Sequence, residues 1–182
     1  MTKKTNAVRI LDRLKINYDL VEYAVDESDL SAVHLAETAG LPISQVFKTL
    51  VLEGDKNGNF VCIIPGGEEI DLKKTAIASS NKKTAMIKMK DLEPLTGYIR
   101  GGCSPLGMKK NFPVYIDEAA FKQSILFISA GVRGIQIRLS PDDLVKACGA
   151  KRATLTFESK TENDLRTNFL QSQHVNNNQI LL

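Results

Sequence analysis

Apolar positions change their period several times along the chain, and each change predicts an element. Val8, Leu11 and Leu14 recur at helical spacing behind Thr5, a capping residue, so a helix is expected from Asn6 to Lys15. Tyr18 to Ala24 reads as a strand. Ser31 caps a second helix that runs to Ala39, where Gly40 stops it. Ser44-Gln45-Val46 turns the chain into a strand from Phe47 to Glu53. A second apolar run, Phe60 to Ile64, follows Asn57-Gly58, which predicts a hairpin with a loop of five or six residues. Pro65-Gly66-Gly67 ends it.

Further on, Asp71 caps a helix from Leu72 to about Ser79, and Ala85 to Met89 reads as a short strand. Asp91 opens one helical turn that ends near Pro94. Three strands follow, Val114 to Asp117, Ile125 to Ser129 and Ile135 to Leu139, with Gly131 and Gly134 bracketing the last turn. Ser140-Pro141-Asp142-Asp143 combines a Ser cap, Pro at the first helical position and acids in the first turn; that helix ends at Cys148-Gly149. Thr154 to Phe157 is expected as an edge strand.

Strands and helices do not alternate in βαβ order, so a Rossmann sheet is not expected. The pattern predicts an α+β single domain, with a mixed, curved sheet or open barrel flanked by helices. With 182 residues, 43% of them apolar, the chain can bury one core. That domain spans residues 1–157. Residues 158–182 form a polar C-terminal extension, in which Asn163 to Gln171 could be a helix presenting Leu165 and Phe169. A frayed tail is the expectation there, against a partner-docking segment.

Composition narrows the function classes. Three cysteines, Cys62, Cys103 and Cys148, include no C-x-x-C pair, and the two histidines, His34 and His174, lie far apart. A disulfide framework, a zinc site and a Ser-His-Asp triad are thereby poorly supported, and no metal or organic cofactor is expected. No run of about 18 apolar residues and no signal-like N terminus is present, so a cytoplasmic protein without a membrane partner is expected. The net charge of +3 does not demand a nucleic-acid partner, and no DNA partner is expected. The lysines are nevertheless clustered, as Lys73-Lys74, Lys82-Lys83, Lys88, Lys90, Lys109-Lys110 and Lys151-Arg152. Such pairs usually form a solvated face; gathered around one cleft they would contact phosphates.

Two features carry chemistry. The stretch Tyr98 to Gly107 holds glycines 101, 102 and 107 and Pro105 between apolar segments. It must be a structured loop, either a tight surface turn or a set of N–H donors converging on an oxygen of a ligand. In Val46 to Leu52, Lys48 is the one charge in an apolar run. A strand buried on both faces reads this way, and lysine is seldom buried without a partner. Lys48 could also snorkel to solvent. Its neighbour Thr49 would face the opposite side of a regular strand and could join a site at Lys48 only if the strand bends.

The V-F-K-T-L-V segment at Val46, the G-x-x-x-P loop from Gly101 to Pro105 with Lys109-Lys110 after it, and Ile128-Ser129-Ala130-Gly131-Val132-Arg133-Gly134 occur in that order. Together, across roughly Thr5 to Phe157, they resemble the YbaK family of aminoacyl-tRNA deacylases, most closely its Cys-tRNA(Pro) branch. The resemblance implies a trans-editing ester hydrolase whose site is built from Lys48 and the loop Gly101, Gly102, Cys103, Ser104 and Pro105. Tyr23, Thr49, Ser129, Arg133 and Gln136 would bind the substrate. The implied partners are Cys-tRNA(Pro) and prolyl-tRNA synthetase. No protein nucleophile is implied; the substrate's own thiol attacks its ester while the protein orients it, and Cys103 is then a loop residue. Seven residues after Ser129, where the cysteinyl branch usually carries a carboxylate, this chain has Gln136. That bears on the amino acid preferred, with alanine an alternative. Two other classes stay open: a non-catalytic module for the tRNA acceptor end or a synthetase, and a thiol sensor at Cys103.

Overall fold

The structure, a computed structural model, describes residues 4–157. Helix α1 (Asn6–Leu14) starts at Thr5, whose hydroxyl accepts from the Val8 amide, and ends at Lys15 in the left-handed conformation. Then come β1 (Asp19–Glu22), α2 (Ala32–Ala39), β2 (Phe47–Gly54), β3 (Gly58–Pro65) and α3 (Leu72–Ala78). The chain continues through β4 (Thr84–Met86), α4 (Met89–Thr96), β5 (Val114–Asp117), β6 (Leu126–Ser129), β7 (Ile135–Leu139), α5 (Pro141–Cys148) and β8 (Lys151–Ala153). Single 3₁₀ turns at Ile43–Gln45 and Glu118–Lys122 complete it.

The strands form two sheets, ordered β4-β2-β3-β5-β8 and β1-β7-β6. The larger sheet is mixed: β2 pairs antiparallel with β3 and β4, whereas β3–β5 and β5–β8 are parallel. The two sheets meet at one parallel bridge, Val46 with Phe127, and do not close into a barrel. The expected α+β domain with a mixed sheet is what forms.

Alternation along β3 explains why this sheet is covered on both faces. Val61 and Ile63 join Val51, Ile116, Ile128, Ile137 and the α1 residues Val8 and Leu11 in the main core. Phe60, Cys62 and Ile64 point the other way, into a second cluster with Leu52, Tyr115 and Leu155. A central strand buried on both faces loses the polar half of its pattern, hence the unbroken run Phe60 to Ile64.

Four local expectations need correction. The hairpin loop holds only Asp55, Lys56 and Asn57, because Gly54 pairs with Gly58. The Asn81 side-chain oxygen accepts from the amides of Lys56 and Asn57 at 3.0 and 2.9 Å, so a distant residue supplies the acceptors that a longer loop would need. Helix α4 continues through Pro94 to Thr96. Pro costs it a donor, but Gly97 and Lys109 cap its end: the Lys109 amide donates to Thr96 O at 3.0 Å. Strand β4 stops at Met86, since Met89 already begins α4. The last strand of the sheet is Lys151–Ala153, and the edge strand expected at Thr154 to Phe157 is reduced to one antiparallel bridge of Thr156 with Ile70. There the buried Asp117 carboxylate accepts from the Leu155 amide at 2.8 Å and draws the chain off the sheet. The helix expected at Asn163 to Gln171 lies outside the described residues.

Candidate functional site

The site lies where β2 parts company with its neighbours. Val46 bridges Phe127 of β6, and beyond that bridge the two strands diverge, with Lys48 and Ser129 each two residues further on. At the far end β4 covers only Leu52 to Gly54. The uncovered edge between faces a cavity of about 340 Å³, lined by Lys48, Thr49, Gly101, Cys103, Ser129 and Gln136, with Leu30 and Leu35 on one wall. The cavity follows the strand's edge rather than one of its faces, which is how the consecutive residues Lys48 and Thr49 both reach it.

The Lys48 ammonium donates to the carbonyl oxygen of Gly66 at 3.1 Å. It is half-buried, and that desolvation holds its pKa below the ordinary 10.5, against the opposing pull of Glu69 and Glu68. Two of its three donors remain for a ligand. The Thr49 hydroxyl is buried and has no hydrogen-bond partner among the described residues. Buried hydroxyls are nearly always partnered, so this orphan on the cavity wall is a candidate ligand contact.

The glycine loop is held from three sides. The Tyr98 hydroxyl donates to Leu106 O at 2.6 Å, and its ring packs so closely on Gly131 that a Cβ there would lie 2.8 Å from Cε1. Burial pushes the Tyr98 phenol up to about 12. Ser104 Oγ accepts from the Leu106 amide at 3.3 Å, and the Gly102 amide closes a turn onto Ile99 O at 3.0 Å. Arg133 Nε donates to Arg100 O at 2.9 Å, while its Nη1 meets Glu27 at 3.3 Å. Gly101 has φ of +81°, and Leu30 and the Arg133 side chain press on it. No residue with a Cβ fits that conformation and that space comfortably.

Six of the sequence-derived site residues therefore share the cavity: Lys48, Thr49, Gly101, Cys103, Ser129 and Gln136. The others sit around it. Gly102 backs onto the Val132–Arg133 backbone, Ser104 is fully buried within the loop, and Pro105 faces a recess on the opposite side with Ile10 and Phe112. Tyr23 flanks a small neighbouring recess that shares Leu30 and Gly101 with the main cavity, and its amide donates to Gly134 O at 2.9 Å. Arg133 supports the loop from outside.

Burial pushes the Cys103 thiol up to about 12, so it is protonated and a wall residue at neutral pH, which also weighs against a thiol sensor there. Ser129 Oγ accepts from the Gly131 amide at 3.2 Å. Gln136, 2% exposed, lies beside Ser129 across the β6–β7 pair. Lys48 and Arg100 are the charged side chains lining the cavity among the described residues, and no carboxylate lines it. Developing negative charge is favoured there; a substrate ammonium meets only neutral acceptors. No group of three metal-ligating side chains occurs among the described residues.

Sequence reasoning missed Gly66, the acceptor for Lys48. Its signal was present: Lys48 pairs with Ile64, so the Pro65-Gly66-Gly67 turn had to end beside it. A Cβ on Gly66 would lie 2.6 Å from Ala32 Cβ. The apolar walls, Leu30, Leu35, Met86 and Met89, carried no such signal, since helices and strands alike need residues of that kind.

Residues 26–147 match the family described as "Aminoacyl-tRNA editing domain". A protein of Enterococcus faecalis (strain ATCC 700802 / V583), EbsC, named as a candidate Cys-tRNA(Pro)/Cys-tRNA(Cys) deacylase, is 49% identical over 154 residues, 85% of this chain and 94% of its own. Among solved structures, a candidate trans-editing enzyme for prolyl-tRNA synthetase superposes with a TM-score of 0.72 at 24% identity, covering 86% of this chain and 99% of its own. The protein APE2540 does so with a TM-score of 0.76 at 19% identity, covering 84% and 100%. At those identities the two structures establish the fold alone.

Proposed function

The chain belongs to the family of aminoacyl-tRNA editing domains, and from that premise we propose that it is a trans-acting deacylase that hydrolyses mischarged Cys-tRNA(Pro) in the cytoplasm. The observation that carries this reading is the pairing of Lys48 with the Gly101–Cys103 loop across one cavity, without an activated nucleophile of the protein's own. The name of the 49% identical relative supports the cysteinyl substrate.

The chemistry follows from what the cavity lacks and holds. The substrate's sulfur forms a bond to its own ester carbonyl carbon, and the carbon–oxygen bond to the terminal ribose breaks. The thiol proton ends on the ribose oxygen, leaving a strained four-membered thiolactone that water opens to free cysteine. The protein's part is to fold the ester into an attacking geometry and to stabilise the oxyanion; Lys48 and loop N–H groups serve the second task. Lys48 could instead hold a phosphate or ribose oxygen of the acceptor end. Thr49 Oγ1, Ser129 and Gln136 are neutral acceptors for the α-ammonium, and Arg133 positions the loop. Prolyl-tRNA synthetase is the natural carrier of the tRNA for so small a domain.

A second reading keeps the site and changes the amino acid. Gln136 stands where the cysteinyl branch usually carries a carboxylate, so the pocket departs from that branch, and its apolar walls also fit a small side chain such as that of an alanyl ester. The test is single-turnover deacylation of Cys-, Ala- and Ser-tRNA(Pro) by the wild type and Lys48→Ala. Loss of the Cys ester alone, slowed about a hundredfold by the substitution, supports the thiol-assisted route. Loss of the Ala ester replaces that step with the second reading. Bound tRNA with no turnover on any ester sinks the deacylase and leaves a binding module.

A further inference from the structure

At one end of the cavity wall stand two methionines whose exposure sets them apart. Met86 closes β4 and Met89 opens α4; both line the cavity, yet they are 44% and 60% exposed. Ile87 between them packs into the core and fixes the segment. Gln136 and the Thr49 hydroxyl, by contrast, are buried. The cavity thus runs from a polar, enclosed end to an open apolar ledge.

Positive charge adjoins the ledge: Lys88 and Lys90 flank Met89 in Met86-Ile87-Lys88-Met89-Lys90 and are exposed, and the exposed Arg100 lines the same cavity. None of the three forms a salt bridge among the described residues. The nearest acids in sequence are Asp91 and Glu93, further along α4. An exposed apolar ledge beside positive charge suits an unpaired nucleobase joined to phosphate. Methionine sulfur and methyl groups pack well on an aromatic plane, and an arginine guanidinium stacks on one.

We propose that Met86 and Met89 form the seat for the base of the tRNA's terminal nucleotide, with Arg100 beside it and Lys88 and Lys90 toward the adjoining phosphates. This rests on the deacylase reading for the identity of the ligand, and it adds where the nucleotide lies. The aminoacyl ester then points inward to Lys48 and Gly101, and the base stays at the mouth.

The chain's four methionines, at positions 1, 86, 89 and 108, make the test direct. Adenosine 5′-monophosphate is titrated into full-length protein carrying 13C-methyl methionine. The expected result is saturable shifts of the Met86 and Met89 methyl signals with Met108, on the far side of the glycine loop, unmoved. Ribose 5-phosphate should not reproduce them. In parallel, Met86→Ser/Met89→Ser should raise KM for a cysteinylated acceptor minihelix about tenfold with kcat retained. No shifts, equal shifts at Met108, or equal shifts with ribose 5-phosphate would overturn the seat even if deacylation proceeds. Selective shifts without any deacylation would uphold the seat while removing the enzyme.

Discussion

Arg133 donates its Nε–H to the carbonyl oxygen of Arg100 at 2.9 Å, so the β6–β7 turn holds the glycine loop by its backbone. The Gly102 position is pressed against the same turn, where a Cβ would sit 3.3 Å from the Arg133 amide nitrogen. The loop's place opposite Lys48 therefore depends on a residue 33 positions away that does not line the cavity.

If that contact sets the geometry of attack, Arg133→Ala lowers kcat about tenfold to a hundredfold and leaves KM near the wild-type value. Glu27→Gln, which removes only the largely exposed partner of Arg133, stays within about twofold, because exposed ion pairs contribute little. Single-turnover kinetics on both variants checks the pair. An unchanged kcat in Arg133→Ala sinks the positioning role.

Lys48 gives a pH signature. Its folded pKa lies below the ordinary 10.5 because burial disfavours the ammonium. Between the folded and unfolded values the unfolded chain binds the extra proton, so stability rises with pH through that window and is flat below it. Denaturant melts between pH 8 and 10.5 should show this rise in the wild type and not in Lys48→Met. A 13Cε titration of Lys48 should place its midpoint below the ordinary lysine value of 10.5.

Cys103 should be silent toward alkylation. With its thiol pushed up to about 12 by burial, iodoacetamide at pH 8 leaves it unmodified in the folded protein, as read by mass spectrometry. Cys103→Ala retains deacylation within about fivefold, the loss reflecting a thiol-to-methyl change in the wall rather than a lost nucleophile. Abolished turnover would reinstate it as a reacting group.

Tyr98 and Gly131 lock the loop to the β6–β7 turn. Tyr98→Phe leaves the buried Leu106 carbonyl without its 2.6 Å donor and costs about 1–2 kcal/mol. Gly131→Ala meets both a φ of +92° and the Tyr98 ring, and costs at least about 1 kcal/mol more than an ordinary surface substitution. Urea denaturation measures both.

Gln136→Glu places a carboxylate at a 2% exposed position. Burial raises such a group's pKa, so the folded state holds the proton longer and the variant loses stability as pH rises. Thermal melts at pH 5 and pH 8 should diverge for the variant and not for the wild type. At pH high enough to ionise the buried carboxyl, the same change should lower KM for the Cys ester, since an anion then faces the ammonium.

Short-range signals were readable in the sequence because they act within a few residues. Thr5, Ser31, Asp71 and Ser140 each cap the helix they precede, and Gly40 and Gly149 end theirs in the left-handed conformation. Lys48 alone in an apolar run and the glycine-rich stretch at Gly101 marked the candidate site for the same reason: each breaks a local rule. What tertiary structure decided was everything that depends on which distant segments meet. Asn81 completes the hairpin loop, Asp117 redirects the chain after β8, and Gly66 takes up the Lys48 ammonium. The parting of β2 from β6 after the Val46–Phe127 bridge opens the cavity and brings Thr49 into it beside Lys48. Periodicity assigns a side chain to one face of a strand; only the packed sheets determine that the strand's edge is left bare.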